Sequence, residues 1–187
     1  MTGNDASGGG PAQPLRTIQA AANLAKPGDT ITVHEGSYRE RIDPPRGGEA
    51  DAKRITYQAA PGAKVSIKGS EIVKGWAKLE HDTWRVSLPN RFFGSFNPYT
   101  DEIRGDWFSP NSSKHHTGAV YRNGHWLTEA VKAEYVLAPA TKDPLWFATV
   151  DADSTTITAQ FPDTNLNADH IEINVRKIQD RRTVPLS

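Results

Sequence analysis

The run from Pro27 to Glu40, PGDTITVHEGSYRE, constrains this chain more than any other segment. A Gly-Asp corner feeds the stretch Thr30 to His34, where Ile31 and Val33 alternate with polar neighbours. The Glu35-Gly36 pair then bends the chain. Short β-branched strands joined by tight polar corners suit a chain that coils into stacked rungs. The stretch just before it, PLRTIQAAANLA, has the opposite texture. Pro14 suits a first helical turn, Leu15, Ile18, Ala22 and Ala25 recur at helical spacing, and Pro27-Gly28 stops the pattern. The expectation is a short helix capping one end of a sheet stack and shielding its open edge.

The strand texture continues. Ile55 and Tyr57 alternate with Arg54 and Thr56, and Val65 and Ile67 alternate with Lys64, Ser66 and Lys68. Each piece ends at a turn pair such as Pro61-Gly62 or Lys68-Gly69. No helical crossover separates the pieces, which disfavours a doubly wound α/β fold. Pro44 to Ala52 reads as a polar corner loop, and the Gly-rich start, Met1 to Gln13, as a mobile terminus.

From Trp76 onward the pattern changes to longer antiparallel strands: Trp84 to Leu88, Ala119 to Arg122, Trp146 to Val150 and Thr155 to Phe161. Asn123-Gly124 between VYR and HWL is the strongest hairpin signal in the chain. Asp151 to Ser154 marks another turn, and Val131 to Asp143 reads as a helical turn and a loop. The strand His170 to Arg176 places Ile171, Ile173 and Val175 on one face, and is expected to return to the rung stack. The expected organisation is therefore a cap helix and first rungs over 1–75, an inserted β-sandwich-like region over 76–168, and a return strand with a frayed tail over 169–187. The fold class is mainly β: the start of a right-handed parallel β-helix with an inserted sandwich.

Composition closes off several function classes. Twenty-two basic and 22 acidic residues balance to zero charge over 187 residues, with no basic stripe for nucleic acid. Cysteine is absent, so no disulfide or thiolate site can form, which favours a cytoplasmic setting. No signal peptide or apolar membrane span is present, and no phosphate-binding, dinucleotide-binding or nucleophile-elbow motif occurs. No cofactor is expected.

The segments PGDTITVHEGSYRE, RITYQAAPGAKVSIKGSE, LPNRFFGSFNPY, RGDWF, AVYRNG, WFATVDADSTTITAQF and IEINVR resemble the β-helical β-xylosidases of glycoside hydrolase family 120. More loosely, the chain is similar to the wider group of pectate-lyase-like right-handed parallel β-helix proteins. The resemblance runs from about Thr2 to Arg176. It implies a β-helix interrupted early by a β-sandwich, cleaving xylo-oligosaccharides with retention by two carboxylates on later rungs. No position here matches that catalytic pair, and KIQDRRTVPLS follows IEINVR where the family continues into further rungs. An N-terminal part of such an enzyme, inactive alone, is expected. An open last rung would favour marginal stability and self-association into a homo-oligomer.

Candidate chemistry is sparse. Asp101 and Glu102 are neighbours and so point apart on a strand; Asp169 and Glu172 also differ in parity. Asp29 and Glu35 flank the first strand and read as turn builders. Trp107 in the GDWF turn is the sharpest candidate, since an indole face stacks on the apolar face of a sugar ring. By resemblance, the family's tryptophan in this motif lies near the sugar. Asn97 and Tyr99 of FNPY are candidate hydrogen-bonding groups on the same rim. Trp76, Trp84, Trp126 and Trp146 read as core residues, and His34 as solvent-facing. His115-His116 lacks the companion spacing of a zinc site, so no metal is expected. Two rival readings remain open: a non-catalytic carbohydrate-binding or structural β-helix module, and, behind it, a polysaccharide lyase.

Overall fold

The computed structural model describes residues 3–106, 108–109, 113–138, 143–165 and 168–177. The architecture is mainly β, in two compact units that meet in the sequence between Gly69 and Ser70. The tail expected after Arg176 lies, from residue 178 on, outside the described residues.

In the first unit, α1 (Ile18–Leu24) is followed by β1 (Thr30–Val33), β2 (Gly36–Tyr38), β3 (Thr56–Ala59) and β4 (Val65–Ile67). β1 runs parallel to β3, with Thr30 beside Thr56, and β2 runs parallel to β4, with Gly36 beside Val65. Both successive strands are thus met again, in order and in the same direction, one pass later in the chain. Gly36 opens a strand, and the corner falls at His34-Glu35.

Helix α1 starts later than the periodicity predicts. Thr17 is its N-cap, accepting from Ala20 N–H at 3.1 Å. The amides of Arg16 and Thr17 are instead taken by the Asp5 carboxylate, each at 2.8 Å. Glu40 reaches the next two, Ile18 and Gln19, at 2.9 and 2.8 Å. Arg46 donates to the carbonyls of Asn23 and Ala25 at the far end. A seven-residue helix is marginal alone, so these side chains supply the partners that its terminal groups lack. For the described residues 3–13, the same contacts correct the reading of the start as mobile. Asn4 N–H bonds the Pro14 carbonyl at 2.9 Å, and Asp5 ties the segment to the helix.

The second unit holds two sheets. One has the order β10-β11-β12-β7-β6, from β6 (Ala77–Lys78), β7 (Thr83–Pro89), β10 (Thr128–Glu129), β11 (Leu145–Val150) and β12 (Ser154–Gln160). The other has the order β5-β13-β8-β9, from β5 (Ser70–Ile72), β8 (Val120–Arg122), β9 (His125–Trp126) and β13 (Ile171–Asn174). Both contribute to one apolar cluster: Val86, Trp146, Ile157 and Ala159 from the first, Val120, Ile171 and Ile173 from the second. Trp76 meets Phe161 edge-on, 5.0 Å between centroids. The short helix α2 (Ala133–Leu137) closes one end, where Gln160 and Thr83 donate to the Val136 carbonyl at 2.9 and 3.0 Å.

Two expectations are corrected here. β13 does not join a parallel stack. It pairs antiparallel with β5 and β8, because its Ile171 and Ile173 stripe is buried in the second unit's own core. Trp126 is not a core residue: it is 72% exposed, on the edge strand of the hairpin that Asn123 and Gly124 turn at φ of 52° and 83°. Trp76 and Trp146 are buried, and Trp84 is half-buried against the same cluster.

Candidate functional site

The candidate residues lie along one excursion of the second unit, from Asn90 to Gly118. It opens with a 3-10 turn, Asn90–Phe93, whose Phe93 is buried. Asn97 follows with both ends of its amide engaged. Its Nδ2 donates to Thr155 Oγ1 at 2.7 Å, and its Oδ1 accepts from Tyr99 N–H at 3.0 Å. Thr155 passes the chain on to Asn90 Oδ1 at 2.8 Å, so the segment is pinned to β12. Tyr99 is buried among aromatic edges, 5.7 Å from Phe93 and 5.5 Å from Trp146, and its hydroxyl donates to the Ala119 carbonyl at 2.9 Å. Burial pushes its ionisation well above the usual phenol range.

Beyond Tyr99 the chain runs out and back as an arm. Ile103 N–H bonds the His115 carbonyl at 2.8 Å, Thr117 N–H bonds the Asp101 carbonyl at 2.9 Å, and Glu102 bridges His116. At the turn, Phe108 N–H bonds the Gly105 carbonyl at 3.1 Å. Trp107, the sharpest expectation, lies outside the described residues. Its neighbour Phe108 meets the His115 ring edge-on at 5.6 Å, which links the outgoing and returning limbs.

Two carboxylates of the arm, Asp101 and Glu102, are occupied structurally. Asp101 accepts from Thr117 Oγ1 at 2.9 Å. Glu102 accepts from Lys114 at 2.5 Å and Arg104 at 2.9 Å, which together hold its pKa below the usual carboxylate range. His115 and His116 both turn to Glu129 on β10: His116 Nδ1 lies 2.6 Å from one carboxylate oxygen, His115 Nδ1 3.9 Å from the other. Glu129 carries no local sequence signal, because His116 and His115 lie thirteen and fourteen positions upstream on the arm. Among the described residues no group of three or more His, Asp or Glu could hold a metal ion.

Elsewhere in the unit, Asp169 is held low by the Asn123 amide and by the Arg122 guanidinium. Glu172, whose strand partners on either side are hydrophobic, is buried and accepts from Ser70 Oγ at 2.7 Å. Asp29 accepts from Lys26 N–H at 2.8 Å in the first unit, a turn contact as the sequence suggests. Two hollows among the described residues are lined by neither Asn97 nor Tyr99. One of roughly 500 Å³ is lined by Leu15, Ile18 and Thr30 to His34, and one of roughly 400 Å³ by Ile72, Trp76 and Asp169. No helix of the described residues is long and apolar enough to cross a membrane.

Against this geometry the comparisons are specific. Residues 73–173 match the family described as glycoside hydrolase 120, insertion domain. Residues 1–44 match a family described as a protein of unknown function, DUF1565. The chain is 32% identical over 89 residues to the uncharacterized protein YwoF of Bacillus subtilis strain 168, covering 48% of this chain and 18% of that one. A solved structure, the complex of XylC with xylose, is similar at 42% identity and a TM-score of 0.88, over 94% of this chain and 31% of that one. The chain thus spans under a third of the solved relative and under a fifth of the curated one.

Proposed function

This chain belongs to the glycoside hydrolase 120 family by its insertion domain, and from that premise we propose that it is part of a retaining β-xylosidase acting on xylo-oligosaccharides. The observation that carries the proposal is the likeness over nearly the whole chain to XylC, a protein solved with xylose. In this reading residues 1–75 supply the cap helix and first turns of a right-handed parallel β-helix. Residues 76–168 are the inserted sandwich, and 169–187 the strand and tail that follow. The parallel registers of β1 with β3 and of β2 with β4 support the β-helix, since a solenoid returns each strand beside its predecessor.

The arm between Tyr99 and Gly118 is the sugar-facing element in this proposal. Trp107 stacks on a xylosyl ring, and Asn97 and Tyr99 form the rim that carries the arm. Their polar atoms are engaged within the protein, which makes the rim rigid rather than adaptable. Hydrolysis with retention needs two carboxyls about 5–5.5 Å apart, one ionised and one protonated. Asp101, Glu102, Glu129 and Asp169 are each held by other side chains, and none is paired in that way. The 187-residue chain by itself therefore binds but does not turn over.

Two measurements on the purified chain test this. Calorimetric titration with xylotriose should show weak binding that Trp107→Ala abolishes. Incubation with p-nitrophenyl xyloside should release no phenol above buffer. Steady release by the chain alone would overturn the assignment of its role, and binding indifferent to Trp107→Ala would overturn the assignment of the arm.

A further inference from the structure

β1 has one partnered edge and one open edge. The Asp29 and Val33 carbonyls accept from Thr56 and Ala60 N–H at 2.9 and 2.8 Å, so the odd-numbered backbone groups here face β3. Alternation turns the groups of Thr30, Thr32 and His34 the other way. The His34 carbonyl accepts from the Tyr38 hydroxyl at 3.0 Å. The N–H groups of all three, and the carbonyls of Thr30 and Thr32, meet no hydrogen-bond partner among the described residues. This edge lies in a concavity. The hollow of roughly 500 Å³ follows β1 from Thr30 to His34, and Gly10, Leu15 and Ile18 also line it. Arg16, the one permanent charge lining it among the described residues, is 74% exposed and pairs with Asp5 at 3.7 Å.

A row of open donors and acceptors is a template for another strand, and a hollow beside it leaves room for one. We propose that the open edge of β1 binds an extended, uncharged segment of another polypeptide by adding a strand, over the four residues that β1 spans. The strand's own alternation states the chemistry of that segment. Val33 is buried and Ile31 half-buried on one face, while Thr30 and Thr32 are exposed on the other. A neighbouring strand keeps this alternation, so the segment sets apolar side chains beside Ile31 and Val33 and polar ones beside Thr30 and Thr32. Leu15 and Ile18 supply apolar surface for the first set. The lining with its single, already paired permanent charge selects against a charged segment. The surface lies wholly within the first unit and uses no residue of the arm, so it stands or falls apart from the sugar reading.

The probe is a capped pentapeptide of alternating valine and threonine, titrated into the full chain while amide exchange is followed by ¹⁵N–¹H spectra. At ten times its dissociation constant it should slow exchange of the Thr30, Thr32 and His34 amides about tenfold, and that of Ile31 and Val33 less. Two further versions, N-methylated on alternate amides in complementary positions, separate strand addition from apolar adsorption. The version whose methyl groups face β1 should lose binding, and the other should keep it. A methyl group placed on Gly10 meets no heavy atom within 4 Å, so Gly10→Leu narrows the hollow without a clash at Cβ. It should weaken the peptide about tenfold and leave the thermal midpoint unchanged. Thr32→Pro removes an open donor and no bond to β3, and should weaken binding too. Equal binding of the two methylated versions, or no binding of the parent peptide, overturns the proposal. Protection of the same three amides that grows with protein concentration in the absence of peptide assigns the edge to a second copy, and overturns it as well.

Discussion

Asp169 shows how a single carboxylate stitches strands together. It accepts from Asn123 Nδ2 at 2.8 Å and from Arg122 Nε at 3.0 Å, which joins the hairpin turn to the start of β13. The Asn123 hydrogen bond and the Arg122 charge lower its pKa below 3.8. A carboxyl more acidic when folded adds stability above its unfolded value, and that stability is lost as pH falls through the folded value. Asp169→Asn should therefore lower the urea midpoint at pH 7, and the gap to the parent should close as pH drops below 3.8. A gap that persists unchanged to pH 2 would mean that shape rather than charge is responsible. None of this was legible in the sequence, where Asp169 is one acid among 22. The Arg122 and Asn123 that hold it lie more than forty positions upstream.

At the level of the element, the arm is decided at its hinge. Gly118 passes so close to Tyr99 that a methyl group placed on it would lie 2.7 Å from Cδ1 and 2.8 Å from Cε1 of the ring. The ring cannot swing away, because Phe93 and Trp146 flank it and its hydroxyl is tied to Ala119. Gly118→Ala should cost about 1–3 kcal/mol by overpacking, read as a lower thermal midpoint. An unchanged midpoint would show that the hinge relaxes freely. The hairpins of the second unit were plain from sequence, since Asn-Gly and Asp-rich turns act over a few residues. Asp151, held low by the amides of Asp153 and Ser154, closes one of them. The exposure of Trp126 was not plain, because an alternating pattern names two faces without naming which is outward.

Taken whole, the molecule divides its buried residues unevenly. The first unit's fully buried apolar residues, among those described, are Ile18, Ala22, Ala25 and Val33, while the second has a cluster built on Trp76, Trp146 and Phe161. Burial of apolar area is the main stabilising term, so the unit with small buried side chains is the weaker. Unfolding should be biphasic. Amides of β1 to β4 should exchange with solvent before those of β7, β11 and β12, followed by hydrogen exchange with mass spectrometry. One transition shared by both sets of amides would contradict the division.

Local chemistry determined much of this protein directly from its sequence. Strand periods, turn residues and the helix stop act between neighbours, so β1, β4, the Asn123-Gly124 hairpin and the β11–β12 turn can be read without coordinates. The family is legible for the same reason, because its signature is an ordered set of short segments. Tertiary structure alone decided which polar groups meet. It brought Asp5, Glu40 and Arg46 to one short helix, set β13 between β5 and β8, and turned two histidines toward Glu129. Hydrogen bonds and ion pairs depend on distance in space, and distance in space is what a folded chain has and a sequence lacks.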